Sequence, residues 1–169
     1  MNPAGNTALR RGLSNGYIHA MPRDRSTPDD FVGCVAGNLR AAARCVTRVY
    51  DDALRDTGLR ITQIAVLAQI QRLQPLTVTE LAAGLSSERS AVARDVAILQ
   101  RAGLVSAVVK ADDQRARDIR LTTEGRRRLA ASAPAWHAAQ EAMRKALGAA
   151  RVDELVTLAN ELVETLDGS

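Results

Sequence analysis

Apolar residues recur at helical spacing along much of the chain. Steps of four and three predict a long helix over residues 29–57, which Gly58 should end. Residues 62–73 are almost wholly apolar, so we expect a second, buried helix that ends before Gln74 and Pro75. Residues 152–166 carry leucines on one side and glutamates on the other, and this last helix must bury its leucines against some other surface.

Residues 76–122 combine the most specific local signals. Thr77 and Glu80 have the Thr-x-x-Glu spacing of a capping box, which predicts the start of a short helix. A turn follows, and a second helix is expected over residues 88–102. Ser86 or Ser87 should cap the first turn of this second helix, and Gly103 should end it.

The second of these helices has two different faces. Val92, Val96 and Leu99 are separated by four and three residues and form one apolar stripe. The opposite side combines small residues with two guanidinium groups: Arg89, Ser90, Ala93, Arg94 and Ala97. A helix with one apolar side and one small, basic side is suited to a DNA major groove. We therefore predict that it is a recognition helix.

The periodicity changes after Gly103. Residues 104–109 are rich in β-branched residues, and residues 118–122 alternate polar and apolar positions. Residues 110–117 between them are polar and carry three cations. The pattern predicts a β-hairpin, or wing, with a charged tip. After it, Thr122 is expected to cap a long helix, in which Pro134 can introduce a kink without ending the helix.

This central segment resembles the winged helix-turn-helix of the MarR family of bacterial transcriptional regulators, over the residues LTVTELAAGLSSERSAVARDVAILQRAGLVSAVVKADDQRARDIRLTTEGRR. The family's wing signature, Asp-x-Arg followed by a strand ending in Leu-Thr, is matched by Asp113-Gln114-Arg115 and Leu121-Thr122. The resemblance, which starts near residue 34, implies a mostly α fold (α+β) with a small β-hairpin wing, in which the winged helix-turn-helix lies inside a helical dimerisation domain. It also implies a homodimer that binds double-stranded DNA at an inverted-repeat operator, usually as a repressor released by a small molecule or by oxidation.

The resemblance and the helix faces together give roles to individual residues. Six residues are predicted to contact DNA: Arg89, Ser90, Arg94, Lys110, Arg115 and Arg117. Ser90 and Arg94 are expected at base edges, and Arg89 at a base or a phosphate. The resemblance places Arg115 in the minor groove and gives Asp113 the role of holding the wing tip. The two remaining wing cations are expected on phosphates.

The predicted organisation is a flexible N-terminal arm followed by one domain. The arm covers residues 1–28, has no sustained hydrophobic period and contains four arginines, so contacts with DNA phosphates are an alternative to a passive arm. In the domain, residues 29–169, the helical dimerisation region covers residues 29–74 and 123–169, and the winged helix-turn-helix covers residues 75–122. Arg126, Arg127 and Arg128 lie near the base of the wing, where they are either solvated surface or phosphate contacts.

Charge and composition narrow the function. The net charge is +4, and residues 86–128 hold ten Lys/Arg against six Asp/Glu, so the positive charge is concentrated on the winged helix. Aromatic residues make up only 2%, which favours duplex DNA over single strands because stacking platforms are missing. No catalytic, nucleotide-binding or metal-binding motif is present, so we expect neither an enzyme nor a cofactor. The lack of a signal peptide and of a long apolar run favours the cytoplasm.

The first long helix carries the candidates for regulation. Arg40 and Arg44 either belong to a solvated face or bind an acidic, often aromatic, effector in the pocket that the MarR resemblance implies, with Cys34 nearby. Cys34 and Cys45 are separated by about 16 Å along the helix, too far for a disulfide within one chain. They are either small core residues or redox sensors. A winged helix used for protein contacts remains a more distant alternative.

Overall fold

The computed structural model of the protein describes residues 33–109 and 117–167. This part of the chain is mostly α-helical with one two-stranded hairpin, as the sequence predicts. Its elements are, in order, α1 (Val35–Leu54), a 3-10 turn (Arg55–Thr57), α2 (Ile61–Leu73), α3 (Val78–Gly84), α4 (Arg89–Arg101), β1 (Val105–Val109), β2 (Arg117–Leu121), α5 (Thr123–Leu147) and α6 (Ala149–Asp167).

The first helix ends at the predicted glycine, but its last turn is tighter than predicted. Residues 55–57 form a 3-10 turn rather than α-helix, and residues 29–32 of the predicted helix lie outside the described residues. Thr57 explains the tighter turn, because its Oγ1 donates to Leu54 O at 2.6 Å and accepts from Leu59 N at 3.2 Å. Gly58 follows with a φ of 71°, a left-handed conformation that glycine adopts without strain.

The second helix, α2, begins one residue before its predicted start. Its first turn is capped from a distance, because Asp51 Oδ1 of α1 accepts a hydrogen bond from Ile61 N at 2.8 Å. The buried residues of α2 confirm that it is a core helix: Gln63, Ile64, Val66, Leu67 and Ile70. The helix ends at Leu73, directly before Gln74 and Pro75, as predicted.

The wing strands are antiparallel, with Val105 opposite Leu121 and Val109 opposite Arg117. β1 begins one residue later than predicted and ends where predicted, whereas β2 begins and ends one residue earlier than predicted. Arg117 was predicted in the tip but begins β2, and Thr122 was predicted in the strand but lies beyond it. The second shift has a clear cause, because Thr122 turns out of the strand to cap α5: its Oγ1 accepts a hydrogen bond from Gly125 N at 2.9 Å, which confirms the predicted cap.

The long helix α5 packs closely on the start of the hairpin. A Cβ added to Gly125 would lie 2.0 Å from Leu104 O, so no larger side chain fits there without a backbone shift. α5 continues through Pro134, as predicted. The next helix, α6, begins at Ala149, three residues before its predicted start.

One hydrophobic core lies between the helices and the inner face of the hairpin. Its most deeply buried large residues come from α1, α2, α3, α4 and β2: Leu54, Val66, Leu67, Ile70, Leu81, Leu99 and Ile119. Burying each such side chain contributes about 1.5–3 kcal/mol. The chain divides after Cys45, within α1, and this core lies wholly in the second unit, Val46–Ser169. No helix in the described ranges is long and apolar enough to cross a membrane.

Candidate nucleic-acid interface

The helix-turn-helix begins at the predicted capping box. Thr77 Oγ1 accepts from Glu80 N at 3.2 Å, and Glu80 Oε2 accepts from Thr77 N at 2.6 Å. The two residues thus satisfy each other's backbone donors and start α3. After α3 the chain turns at Ser86, whose φ is 43°, and Ser87 N donates to Ala82 O at 2.9 Å. This tight turn leaves the first residues of α4 exposed.

The predicted serine cap of α4 is wrong. Ser87 Oγ donates to Leu85 O at 2.9 Å, so its hydroxyl satisfies the end of α3 rather than the start of α4. Ser86 occupies the left-handed position of the turn. Glu88 is the N-cap residue of α4 and makes no side-chain capping hydrogen bond. The cause is the tightness of the turn, which places both serines before the N-cap position.

The two predicted faces of α4 are confirmed. Val92, Val96 and Leu99 are all buried in the core, and Leu99 is only 1% exposed. The side chains predicted on the other face are all exposed: Arg89, Ser90, Ala93, Arg94 and Ala97. Because the apolar stripe holds α4 against the rest of the chain, the opposite face is presented to solvent as a rigid surface. We call these five exposed residues the α4 outer face.

The arginines of the α4 outer face have no side-chain partner in the part of the chain that the structure describes. Within the described part of the chain, neither Arg89 nor Arg94 makes a side-chain hydrogen bond or ion pair. Arg94 therefore forms no ion pair with an acidic residue of its own helix. Two neighbours were not identified from the sequence: Ile98 is 36% exposed, and Arg101 Nε donates to Ala97 O at 3.3 Å. Their positions one and two turns beyond Arg94 could have indicated them.

The structure covers one of the predicted wing residues. Arg117 is exposed at the outer end of β2, paired across the hairpin with Val109. Lys110, Asp113 and Arg115 lie outside the described residues. Arg120, further along β2, is also exposed, and its Nη2 lies 3.8 Å from Asp118 Oδ2.

The base of the wing is attached to the end of α2, which the sequence did not reveal. Leu76 forms a backbone bridge with Ile119, whose N donates to Leu76 O at 2.7 Å. Two residues along β2, Leu121 N donates to Gln74 Oε1 at 2.9 Å. The Gln74 side chain therefore continues the hydrogen-bond ladder next to Pro75, which has no N–H to offer. No short-range pattern indicates this contact, because it joins residues 47 positions apart.

The three consecutive arginines near the wing have different partners. Arg126 Nη1 donates to Leu121 O at 3.3 Å. Arg127 forms two hydrogen bonds with Glu124, at 2.7 and 2.6 Å, and this pairing lowers the pKa of Glu124 from its ordinary value of 4.5. Arg128 Nη2 donates to Thr57 O at 2.8 Å and is half-buried. Only part of this cluster is thus the solvated surface that the sequence suggested.

The proposed effector residues lie on or beside α1. Arg40 and Arg44 are exposed, one turn apart, and Cys34 is half-buried just before the helix. Cys34 and Cys45 are not in a disulfide. Two open clefts among the described residues lie elsewhere. One, of about 460 Å³, is lined by Asp51, Asp52, Arg55, Gly58, Leu59 and Arg60. The other, of about 550 Å³, is lined by Ala82, Ala83, Ser86, Ser87 and Glu88.

Comparisons with known proteins agree with this architecture. The MarR family model matches residues 59–116. The M. tuberculosis transcriptional regulator MosR is 32% identical, with a TM-score of 0.68 over 80% of this chain and 98% of that chain. MosR in complex with DNA is 34% identical, with a TM-score of 0.67 over 79% of this chain and 98% of that chain. A search of curated proteins found no match.

A more distant structure shares the fold alone. Wild-type MarR from E. coli is 22% identical, with a TM-score of 0.63 over 76% of this chain and 96% of that chain. MosR, by contrast, is similar enough in sequence and coverage to establish kinship. MosR is a transcriptional regulator. The chain belongs to the MarR family of winged helix-turn-helix transcriptional regulators.

Proposed function

We propose that this regulator binds duplex DNA sequence-specifically as a homodimer, with α4 in the major groove. The observation that carries the proposal is that one side of α4 is buried and the opposite side is exposed. Its apolar stripe is buried in the core, while Arg89, Ser90 and Arg94 are exposed and the two arginines are without internal partners among the described residues. Exposed guanidinium groups on a rigid helix suit hydrogen bonds to guanine edges and phosphates.

The roles of single residues follow from their positions on α4 and the wing. Arg94 and Ser90 are one turn apart and are proposed to contact base edges, while Arg89 at the helix start contacts a base or a phosphate. Arg115 is proposed for the minor groove, with Asp113 holding the tip. Lys110 and Arg117 are proposed to contact phosphates. The complex of the 34% identical MosR with DNA supports a DNA-binding role for this fold and sequence.

The homodimer is supported by the apolar surface of α6. In the single chain its large aliphatic residues are exposed by 38–65%: Leu155, Val156, Leu158, Leu162, Val163 and Leu166. A helix with this much apolar surface gains stability from a partner. A second copy of the chain would also supply a second α4, and an operator of two inverted half-sites about one DNA turn apart would follow.

The finer part of the proposal is repression in the cytoplasm, relieved by a small, acidic and often aromatic effector. The exposed guanidinium groups of Arg40 and Arg44, one turn apart on α1, support it because they can bind a carboxylate, with Cys34 close in sequence. Oxidation at Cys34 or Cys45 is the alternative signal. Operator binding measured with aromatic acids and, separately, with a hydroperoxide followed by a thiol reductant distinguishes the two.

The DNA-binding proposal is tested with Arg94→Ala and Arg115→Ala in a competition assay at two salt concentrations. Arg94→Ala should lose about 1–3 kcal/mol of preference for the correct base, because a bidentate base contact is lost. Arg115→Ala should weaken binding to all duplexes and lower the salt dependence by about one unit of slope. Glu141→Ala, on the outside of α5, is the control. Unchanged affinity, specificity and salt slope in both arginine variants would refute the assignment.

A further inference from the structure

Three neighbouring arginines at the start of α5 have one partner each, and one of these partners lies far away in the sequence. Arg126 and Arg127 bond close to the start of their own helix: Arg126 donates to Leu121 O at the end of β2, and Arg127 donates to the Glu124 carboxylate. Arg128 instead crosses to Thr57 O, 71 positions away in the sequence. Its guanidinium group is half-buried and, among the described residues, donates to a backbone carbonyl instead of pairing with a carboxylate.

The carbonyl that Arg128 contacts lies at a junction between elements. Thr57 is the last residue of the 3-10 turn after α1, and its Oγ1 bonds both Leu54 O and Leu59 N. Carbonyls at a helix end lack intrahelical donors and carry partial negative charge, so a guanidinium group there is favourable. Gly58 leaves the space for it, because a Cβ at this position would lie 3.2 Å from Arg128 Nη2. We call Arg128, Thr57 and Gly58 the α5 junction.

The α5 junction joins two regions with different proposed tasks. The turn at residues 55–60 leads directly into α2, which packs against α4 and β2. α5 leads into α6, whose exposed leucines are the proposed dimer surface. Apolar packing of Leu129 and Trp136 also holds α5 on the core. Apolar contacts are non-directional, whereas a hydrogen bond from a planar guanidinium group fixes an angle.

We propose that Arg128 is a positioning residue that sets the separation and angle of the two recognition helices in the dimer, and therefore the spacing of half-sites that the regulator accepts. This inference rests on the proposed function of a dimer that binds an inverted repeat. One inserted base pair moves a half-site by about 3.4 Å and rotates it by about 35°. A dimer with a stiff α5 junction discriminates against such an insertion, and a dimer with a looser one tolerates it.

The test uses the operator selected by the wild-type protein, made as synthetic duplexes with the centre unchanged or altered by one base pair. Arg128→Gln should lower the ratio of the affinities for the unchanged and the altered duplex about fivefold. The reason is that the charge-assisted hydrogen bond that fixes the angle of α5 is lost. Arg128→Lys keeps a cationic donor, so its affinity ratio should lie between those of Arg128→Gln and the wild type. Arg127→Gln removes the same charge one residue away and should leave the ratio unchanged.

The outcomes distinguish a positioning role of Arg128 from a phosphate contact and from a purely structural role. A drop of about one unit in salt slope, with an unchanged affinity ratio, would overturn the inference and make Arg128 a phosphate contact. A lower melting temperature with an unchanged ratio would also overturn it, because the role would then be structural only. If Arg128→Gln does not fold, Arg128→Lys decides. The inference expects a loss smaller than about fivefold, because a flexible ammonium group lacks the planar geometry that fixes the angle, and a ratio equal to that of the wild type overturns it. A wild-type protein without any specific duplex would refute the proposed function itself, which is a distinct result.

Discussion

Helices α4 and α6 have similar hydrophobic patterns in the sequence, but their apolar stripes differ in burial in the folded chain. Each carries an apolar stripe at spacings of three and four. On α4 the stripe is buried, with Leu99 1% exposed. On α6 most of it stays at the surface, with Leu158 56% and Leu162 38% exposed. The first stripe is satisfied within one chain, and the second indicates a partner.

The polar faces of the two helices differ as well. The α4 outer face carries two arginines among small residues, a surface that leaves room for a DNA groove. The polar side of α6 carries glutamates, which phosphates would repel. An amphipathic pattern thus predicts a helix in both regions. Whether the apolar stripe is buried, and whether the polar face is basic or acidic, distinguishes a helix that contacts DNA from one that associates with another chain.

The largest expected effect concerns the exposed stripe of α6. The double variant Leu158→Glu with Leu162→Glu should weaken dimerisation at least about 100-fold, because charges would enter the apolar contact in both subunits. Asn160→Glu on the polar side of the same helix is the control. Sedimentation equilibrium measures the association constant, and circular dichroism checks that the chain remains folded. A variant dimer as tight as the wild type would show that this stripe has another partner.

The buried stripe of α4 should respond through folding instead. Leu99→Ala should lower the free energy of unfolding by about 2–5 kcal/mol, since it removes a fully buried side chain and leaves a cavity. Ile98→Ala, at the neighbouring and 36% exposed position, should cost clearly less. Denaturant unfolding of both variants gives the comparison. Equal losses would mean that the two sides of α4 are not as different as the structure shows.

A smaller effect is expected at the base of the wing. Gln74→Leu leaves Leu121 N without its side-chain acceptor and should cost about 1–3 kcal/mol, because a half-buried donor loses its partner. Gln71→Leu, on the exposed side of α2, is the matched control. Amide hydrogen exchange at Leu121, alongside denaturant unfolding, locates the change. Unaltered exchange at this amide would show that Gln74 does not hold the wing strand.

The smallest effect is the pH dependence of an exposed ion pair on α5. Hydrogen bonding to Arg127 lowers the pKa of Glu124 below 4.5 in the folded state, so the pair stabilises the fold above that pH. The contribution is lost as the pH falls through the lowered pKa. Melting temperatures of Glu124→Gln and the wild type should therefore differ slightly near neutral pH and converge in acid. A melting-temperature difference that grows as the pH falls would contradict a stabilising ion pair with a lowered Glu124 pKa.

Local signals in the sequence were sufficient for most of the helix-turn-helix. The capping box of Thr77 and Glu80, the stripe of α4 and the cap at Thr122 all depend on residues within a few positions of each other, and each is confirmed. The predicted serine cap of α4 is wrong because the tight turn places both serines before the N-cap residue, Glu88. Only the folded geometry decides that Ser87 bonds Leu85 O.

The contacts between distant segments could not be predicted from one sequence. Asp51 caps α2 from α1, Gln74 holds β2, and Arg128 reaches Thr57. The run of three arginines marks Arg128 as part of a basic cluster, but no spacing in the sequence indicates any of these three contacts. Their partners are backbone atoms, which leave no signature in the sequence. The predicted effector residues and the domain boundaries stay predictions, as do the roles of Lys110, Asp113 and Arg115.

The central claim is that the α4 outer face reads duplex DNA while α6 brings a second copy to the same site. A selection of genomic fragments by the purified wild-type protein, followed by sequencing, tests both parts at once. The expected result is one enriched motif, made of two inverted half-sites about one helical turn apart. Enrichment of no motif would contradict DNA reading by α4. A motif with a single half-site would contradict the dimer.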